Sequence, residues 1–321
     1  MISRRLLRIK ALMALYAYNR REDEDLPKAE KELMFSIEKT YDLYHLLMLL
    51  LLELSDVAAG KIDQSRQKRI PSPEDLNPNP RFISNRLLAQ LKTNKPFQKY
   101  VSSRKLSWVN YSHIIRILYN KLVAWDVYIE YMNSHENNYQ LDKKFIFRLI
   151  NELVRDSEDL VNSLEEQSIY WNDDMEYILI MIDKTFKKFR VDSVEDTALM
   201  PLFKNDEDKN FVKILFRKAV LNTEKYSGLI DNNTTNWELE RIALMDILVM
   251  QLAVTEILEF PEIPVKVTLN EYIEIAKYYC TSKSSTFVNG ILDNIVKEIR
   301  QKGLFNKYGR GLVGESMEKE N

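Results

Sequence analysis

The sequence predicts an all-α protein, and three observations support this prediction. Only 7 glycines and 9 prolines serve 321 residues, which is too few turn-forming residues for a β-sandwich, a barrel or a glycine-fingerprint α/β fold. Hydrophobic residues make up 45% of the chain and recur at helical spacing over most of it. Four of the glycines fall in the last twenty residues: Gly303, Gly309, Gly311 and Gly314.

The first predicted helix carries a basic face. Between Met1 and Arg21 there are six basic residues and no acidic one, so the sequence predicts arginines without carboxylate partners, which suits phosphate binding. The stripe expected to face the core contains Leu7, Ala11, Ala14, Leu15 and Tyr18. The neighbouring arc contains Arg4, Arg5, Arg8, Leu12 and Tyr16.

The formal net charge of −2 is a sum over segments of opposite sign. Residues 22–60 are acidic, whereas residues 61–105 carry eleven basic and three acidic residues together with five prolines. This pattern predicts a Pro-rich basic loop or linker, either as a solvated loop or as an accessory RNA-contacting arm. The rings that could stack on bases there are Phe82, Phe97, Tyr100 and Trp108.

Helical patterns also cover most of the remaining chain. They predict helices at 106–134, 142–166 and 172–190, and then at about 208–227, 237–258, 269–279 and 285–301. Thr268 and Glu271 have the spacing of a capping box, which predicts that they begin the helix at 269. Ser284 or Ser285 is expected to cap the last helix, and Gly303 to end it.

Motifs of catalysis are missing from the sequence. His45, His113 and His135 have no metal-ligand spacing, and there is no phosphate-binding glycine loop and no glycine-flanked nucleophilic serine. We therefore expect no enzyme activity, no cofactor and no metal. The single cysteine and the lack of a signal-peptide pattern predict a cytoplasmic protein. The apolar run 46–52 is too short to cross a bilayer, so we expect a buried helix and no membrane partner.

Two stretches resemble the NusB family of transcription antitermination factors. The first is RRLLRIKALMALY at 4–16. The second combines WELERIA at 237–243, IPVKVTLNE at 263–271 and FVNGILD at 287–293, in that order. Together with the predicted helix near 211–229, the resemblance covers roughly a third of the chain.

The resemblance implies a helical fold of two small bundles and an RNA-binding function without enzyme activity. It implies binding of a boxA-like single-stranded RNA together with the small-subunit ribosomal protein NusE. It also implies a place in the RNA polymerase antitermination complex, where such factors support transcription and processing of ribosomal RNA.

The same resemblance assigns RNA-binding residues to two segments. These are the basic helix and the start of the last helix, where Lys283 stands at a position that is often acidic in the family and so favours phosphate contacts. A partner-protein contact is assigned to Glu240. The RNA-binding residues implied in this way are Arg4, Arg5, Arg8, Tyr16, Lys283, Thr286 and Phe287.

The length, about twice that of one domain, is explained by an insertion. We expect residues 1–22 and 201–303 to form the NusB-like fold, and residues 23–200 to be an extra helical region that includes the basic loop 61–105. Residues 304–321 are expected to be a flexible tail. Two other functions remain open at this point: an RNA-binding module that serves an rRNA methyltransferase in trans, and a structural helical adaptor.

Overall fold

A computed structural model describes residues 1–22, 25–234, 242–304 and 306–308, and its regular elements there are all helices. The fold is therefore all-α, as predicted. The helical elements include a 3₁₀ turn (Val109–Tyr111) and a π-helix (Leu149–Val154). The α-helices are α1 (Arg4–Asn19), α2 (Leu26–Arg66), α3 (Pro73–Leu76), α4 (Arg86–Thr93), α5 (Lys95–Arg104), α6 (Ser112–Ala124), α7 (Asp126–Asn133), α8 (Tyr139–Arg148), α9 (Glu158–Gln167), α10 (Met175–Lys188), α11 (Asp206–Leu221), α12 (Thr223–Asn232), α13 (Leu244–Glu259), α14 (Val265–Tyr279) and α15 (Ser284–Gln301).

The chain divides into two compact units. Unit 1 comprises Met1–Ile2 and Ser36–Leu202, and unit 2 comprises Ser3–Phe35 and Phe203–Asn321. Helix α2 contributes its first residues to unit 2 and the remainder to unit 1. The predicted boundaries at residues 22 and 200 concern which segments form the family's fold, and they stay a prediction.

Unit 2 is built around α13, which is buried on nearly every side. It contacts α1, α11, α12, α14 and α15, as expected for a helix that is apolar around its whole circumference. The last helix presents the predicted inward stripe, whose members are all buried: Val288, Ile291, Leu292, Ile295 and Ile299. It ends as predicted at Gly303, which adopts a positive φ of 61° that favours glycine.

Unit 1 is built around the second part of α2. Buried leucines along this helix form the core with residues from α4 to α10. Two indole N–H groups donate to its backbone, from Trp108 to the carbonyl oxygen of Leu46 (2.9 Å) and from Trp171 to that of Lys39 (2.7 Å). The apolar run 46–52 is thus part of a long, mostly buried helix.

By length and composition alone, α2 could cross a membrane, because the 41-residue helix contains an 18-residue window of mean hydropathy 1.5. The prediction from the short apolar run missed this length. However, 61% of that window is buried inside the protein, which is also typical of the core helix of a folded domain.

The basic stretch 61–105 is not an extended loop. It contains the end of α2 and helices α3, α4 and α5. Phe82, Phe97 and Trp108 are buried, so the expectation that these rings could stack on bases is wrong. The hydroxyl of Tyr100 donates to Asp42 (2.9 Å). Contact of the basic residues with RNA stays a prediction.

Several predicted helix boundaries are also wrong. The pattern at 106–134 breaks at Trp125 into α6 and α7, and the pattern at 142–166 is interrupted by the π-helix. The capping box at Thr268 is not formed, because α14 begins three residues earlier, directly after Pro264, whose ring suits the start of a helix. Ser284 is the first residue of α15 and does not cap it; Lys283 stands at the cap position.

The predicted tail lies mostly outside the described residues. Near its start, the backbone N–H of Tyr308 donates to the carbonyl oxygen of Pro261 (3.1 Å), and the Lys307 ammonium donates to that of Phe260 (2.9 Å). These two residues therefore pack back onto the segment that follows α13.

Candidate nucleic-acid interface

Arg8 of α1 is buried and forms the centre of a polar network in unit 2. Its side chain is 4% exposed, and its guanidinium donates twice to Glu256 of α13, Nε to Oε2 at 2.7 Å and Nη2 to Oε1 at 2.8 Å. The Glu256 side chain is fully buried. It also accepts from Thr268 Oγ1 (2.8 Å) and the Tyr272 hydroxyl (3.3 Å), both on α14. Every oxygen of this buried carboxylate is thus satisfied.

The charges in this network stabilise the protonation states of its members. Burial alone would lower the pKa of Arg8, but the hydrogen bonds and charge of Glu256 outweigh burial and raise it. Burial raises the pKa of Tyr272 well above its usual value, and the charge of Glu256 adds to the increase. At neutral pH the network therefore contains a charged arginine and a neutral tyrosine.

Arg4 and Arg5 lie nearer the surface and are also paired. Arg5 donates twice to Glu271 of α14, at 2.8 and 2.9 Å, and the Nε of Arg4 donates to Asp208 of α11 at 2.8 Å. Their side chains remain 36% and 39% exposed, respectively. Hydrogen bonds from Arg5 lower the pKa of Glu271 despite its partial burial.

The expectation of a row of unpaired arginines is therefore wrong. The carboxylates that pair with Arg4, Arg5 and Arg8 lie 204, 266 and 248 residues away in the sequence, so the local charge pattern of α1 could not reveal them. Leu12, from the same predicted arc, is also buried. Helix α1 is thus a core helix with two arginines at its surface, and burial does not support a direct RNA contact by Arg8.

An aromatic ring lies between the first and last of these arginines. The guanidinium carbons of Arg4 and Arg8 lie 5.2 and 5.3 Å from the ring centroid of Phe211 on α11, within cation–π distance. About two turns further along α1, the guanidinium carbon of Arg20 lies 5.5 Å from the ring centroid of the half-buried Tyr16. Tyr16 is therefore a partly exposed ring beside a basic residue.

The other predicted RNA-binding residues lie at the start of α15. Lys283 and Thr286 are exposed, and Phe287 is half-buried. The preceding loop is held from inside: Ser284 Oγ donates to the buried Asp246 of α13 (2.9 Å) and accepts from the backbone N–H of Thr281 (3.2 Å). This anchoring fixes the helix N-terminus, where backbone amides favour anions. Glu240, the predicted partner contact, lies outside the described residues.

Sequence reasoning missed the three carboxylates, although one signal was available. Glu256 stands alone in the apolar run of α13, and a carboxylate in a buried helix requires a cationic partner. The spacing of Glu271 from Thr268 indicated only a role in capping the helix. Over the described ranges, no group of three or more His, Cys, Asp or Glu side chains could hold a metal ion.

Fold and site together define a class: a helical unit whose N-terminal arginines are oriented by carboxylates from the C-terminal helices. The NusB family profile matches residues 175–297. Transcription antitermination protein NusB of Salinibacter ruber is 42% identical over 115 residues, which cover 36% of this chain and 72% of the relative. The chain belongs to the NusB family.

Other NusB proteins match between a third and a half of the chain. Transcription antitermination protein NusB of Chloroherpeton thalassium is 43% identical over 112 residues, which cover 35% of this chain and 53% of the relative. A solved structure of T. maritima NusB is 29% identical and covers 48% of this chain and 89% of its own, with a TM-score of 0.29. The family assignment therefore rests on the sequence matches. The Salinibacter ruber and Chloroherpeton thalassium relatives are named as transcription antitermination proteins, not as enzymes.

Proposed function

We propose that the protein is a transcription antitermination factor that binds a boxA-like single-stranded RNA through unit 2. The observation that carries this proposal is the 42% identity over 115 residues to a relative named as an antitermination protein. The protein would act without enzyme activity, in the cytoplasm. Its partners would be the ribosomal protein NusE, with Glu240 as one contact, and the RNA polymerase antitermination complex.

The geometry supports two different roles for the predicted RNA-binding arginines, direct phosphate contact and positioning of α1. Arg4 and Arg5 keep more than a third of their side chains exposed, so they can reach phosphates while Asp208 and Glu271 orient them. Arg8 is buried by Glu256 and acts as a positioning residue that holds α1 on α13. We therefore propose an indirect role for Arg8 in RNA binding, in place of the direct contact that the resemblance implies.

The start of α15 provides a second group of contacts. Lys283 supplies a positive charge, and Thr286 a hydroxyl, at the N-terminus of this helix. Phe287 and Tyr16 are each half-buried, and rings in this position can stack on unpaired bases while their inner faces stay packed. Single-stranded RNA recognition combines such stacking with phosphate neutralisation.

The test is a titration of a short boxA-like RNA into the full chain at several salt concentrations. Arg4→Gln/Arg5→Gln should bind more weakly, and the magnitude of its salt slope should fall by about 1, because about two phosphate contacts are lost. Lys213→Gln/Lys297→Gln is the matched control: it removes the same charge from exposed positions on α11 and α15 and should leave binding unchanged.

Two results would contradict the proposal. If the wild type does not bind the RNA, with or without NusE, a structural adaptor becomes the better description. If both variants lose affinity equally, the attraction is a general effect of charge, and α1 has no special role. Glu240→Ala tests the protein partner separately, since it should weaken NusE binding without changing the salt slope for RNA.

A further inference from the structure

A cluster of positive charge lies in unit 1, on residues that match the NusB family profile (175–297), and it includes none of the α1 and α15 residues proposed above to bind RNA. Lys184, Lys187 and Lys188 are exposed on the last turns of α10, and Arg190 is exposed just after the helix ends. The three lysines fall within a 100° arc, because positions separated by three and four residues share one helix face. We call these four residues the α10 cationic end.

A neighbouring helix adds a fifth cation to the base of this cluster. The ammonium of Lys143 on α8 donates to the carbonyl oxygens of Lys187 (3.1 Å) and Phe189 (2.7 Å). Burial lowers the pKa of Lys143, and the charge of Arg190 lowers it further. Arg190 is therefore close enough to Lys143 for the two positive charges to repel each other.

None of the four side chains forms an ion pair with a carboxylate among the residues that the structure describes, although Asp183 and Asp192 lie close by in the sequence. Asp183 accepts instead from the amide of Asn151 (3.2 Å), and Glu195 and Asp196 pair with Lys95. The helix dipole favours positive charge in the last turn of α10 and so accounts for Lys187 and Lys188. It does not account for Lys184, one turn earlier, where a like charge at i+4 is unfavourable.

We propose that the α10 cationic end is a second contact for RNA, one that binds backbone phosphates of the strand flanking the element held by unit 2. This inference rests on the proposed function, since the same RNA supplies both contacts. Lysine ammonium groups bind phosphates as point charges without base selectivity. The contact should therefore add affinity and salt dependence without sequence preference.

The surroundings of the cluster favour RNA over a lipid surface. A helix that lies in a membrane interface inserts an apolar face rich in Trp, Phe or Leu. The apolar face of α10 is instead buried in the core of unit 1, through Ile178, Leu179, Ile182 and Phe186. The large apolar residues exposed on α10 and just after it are Ile180, Val191 and Val194, which include no Trp, Phe or Leu, whereas the exposed lysines are available to a flexible polyanion.

The experiment compares two RNAs and three proteins. One RNA is the short boxA-like element, and the other carries the same element with unstructured single-stranded flanks on both sides. The proteins are the wild type, Lys184→Gln/Lys187→Gln/Lys188→Gln and a control of equal charge change, Lys213→Gln/Lys225→Gln/Lys297→Gln, whose lysines are exposed on α11, α12 and α15. Circular dichroism melts establish that all three are folded.

The wild type and the α10 variant should bind the short RNA equally. On the long RNA, the wild type should gain affinity, and the α10 variant should lose most of that gain, with a salt slope smaller in magnitude by about 2. Equal binding of the long RNA by the α10 variant and the wild type would overturn the inference, as would an equal loss in the control. Loss of binding to phosphatidylserine vesicles with unchanged RNA binding would overturn it too.

Failure of the proposed function gives a different pattern. In that case the wild type does not bind the short RNA, whatever happens at α10. Binding of the long RNA that depends on the three lysines would then support the α10 contact alone.

Discussion

The arginines of α1 and the lysines of the α10 cationic end are two clusters of positive charge with opposite surroundings. Each α1 arginine donates to a carboxylate, at Asp208, Glu271 or Glu256. The α10 lysines form no ion pair within the described part of the chain, and their helix is anchored instead by its apolar face. Ion pairs therefore stabilise the packing of α1 in unit 2. The apolar packing of α10 in unit 1 instead leaves its lysines exposed at the surface.

This difference shows that a basic run in the sequence does not by itself indicate a positively charged surface. In α1 the balancing carboxylates arrive from more than 200 residues away in the chain. Mutations should therefore affect the two clusters differently: stability should depend on the first, and binding of long RNA on the second.

The largest expected effect is on Arg8. Arg8→Met leaves the Glu256 carboxylate buried without its partner, which should lower the free energy of unfolding by about 3–5 kcal/mol. Adding Glu256→Gln should restore much of that loss, because a neutral amide is less costly to bury than an unpaired charge. Urea denaturation measures both variants. An Arg8→Met protein of normal stability that no longer bound RNA would instead make Arg8 a direct contact.

The second effect concerns how the stability of unit 1 depends on pH. In unit 1, burial lowers the pKa of His45 from 6.5 to about 4, and its ring stacks on Tyr100 at 3.9 Å. The neutral form is favoured in the folded state, so stability should fall by up to about 3 kcal/mol as the pH drops from 6.5 towards 4. His45→Phe keeps an aromatic ring and should flatten that part of the profile. An unchanged profile would contradict the prediction.

A smaller effect is expected at Glu271. Glu271→Gln removes the charge that holds Arg5 and should cost about 1 kcal/mol, since this pair is partly exposed. The pKa of Glu271 is lowered in the folded protein, so the pair stabilises above pH 4.5 and its contribution is lost as the pH falls through the lowered value. Stability curves of the two proteins should converge at low pH. Curves that stay equally far apart at low pH would contradict this account.

The smallest effect on stability is expected at α10. Lys184→Gln/Lys187→Gln/Lys188→Gln should change the free energy of unfolding by less than about 0.5 kcal/mol, because exposed side chains without partners contribute little. Thermal denaturation at low salt measures it. A large destabilisation would mean that these lysines have a structural role, and the contrast with α1 would then disappear.

The fold class could be predicted because it depends on composition and on local periodicity. The inward stripe of α15 and its end at Gly303 follow from residues within a few positions of one another. Four short motifs carry the resemblance to the family, and the family profile over residues 175–297 together with the 42% identical relative confirms it. Each of these signals lies within one segment of the chain.

The errors have a common physical origin in contacts between distant segments. Thr268 and Glu271 have the spacing of a cap, yet Thr268 donates to Glu256 and Glu271 accepts from Arg5. Phe82 and Trp108 lie near lysines in the sequence, but the core of unit 1 needs their apolar surface. Spacing suggests what a side chain can do locally, whereas burial against distant helices decides what it does.

The tryptophan contacts of unit 1 offer a spectroscopic consequence. Trp108, Trp125 and Trp171 all belong to unit 1, and two of them donate their indole N–H groups to α2. Trp237 is the remaining tryptophan of the chain. Intrinsic fluorescence should therefore report mainly on the melting of unit 1, while far-ultraviolet dichroism reports on every helix. A gap between the two denaturation curves would measure how independently the units unfold.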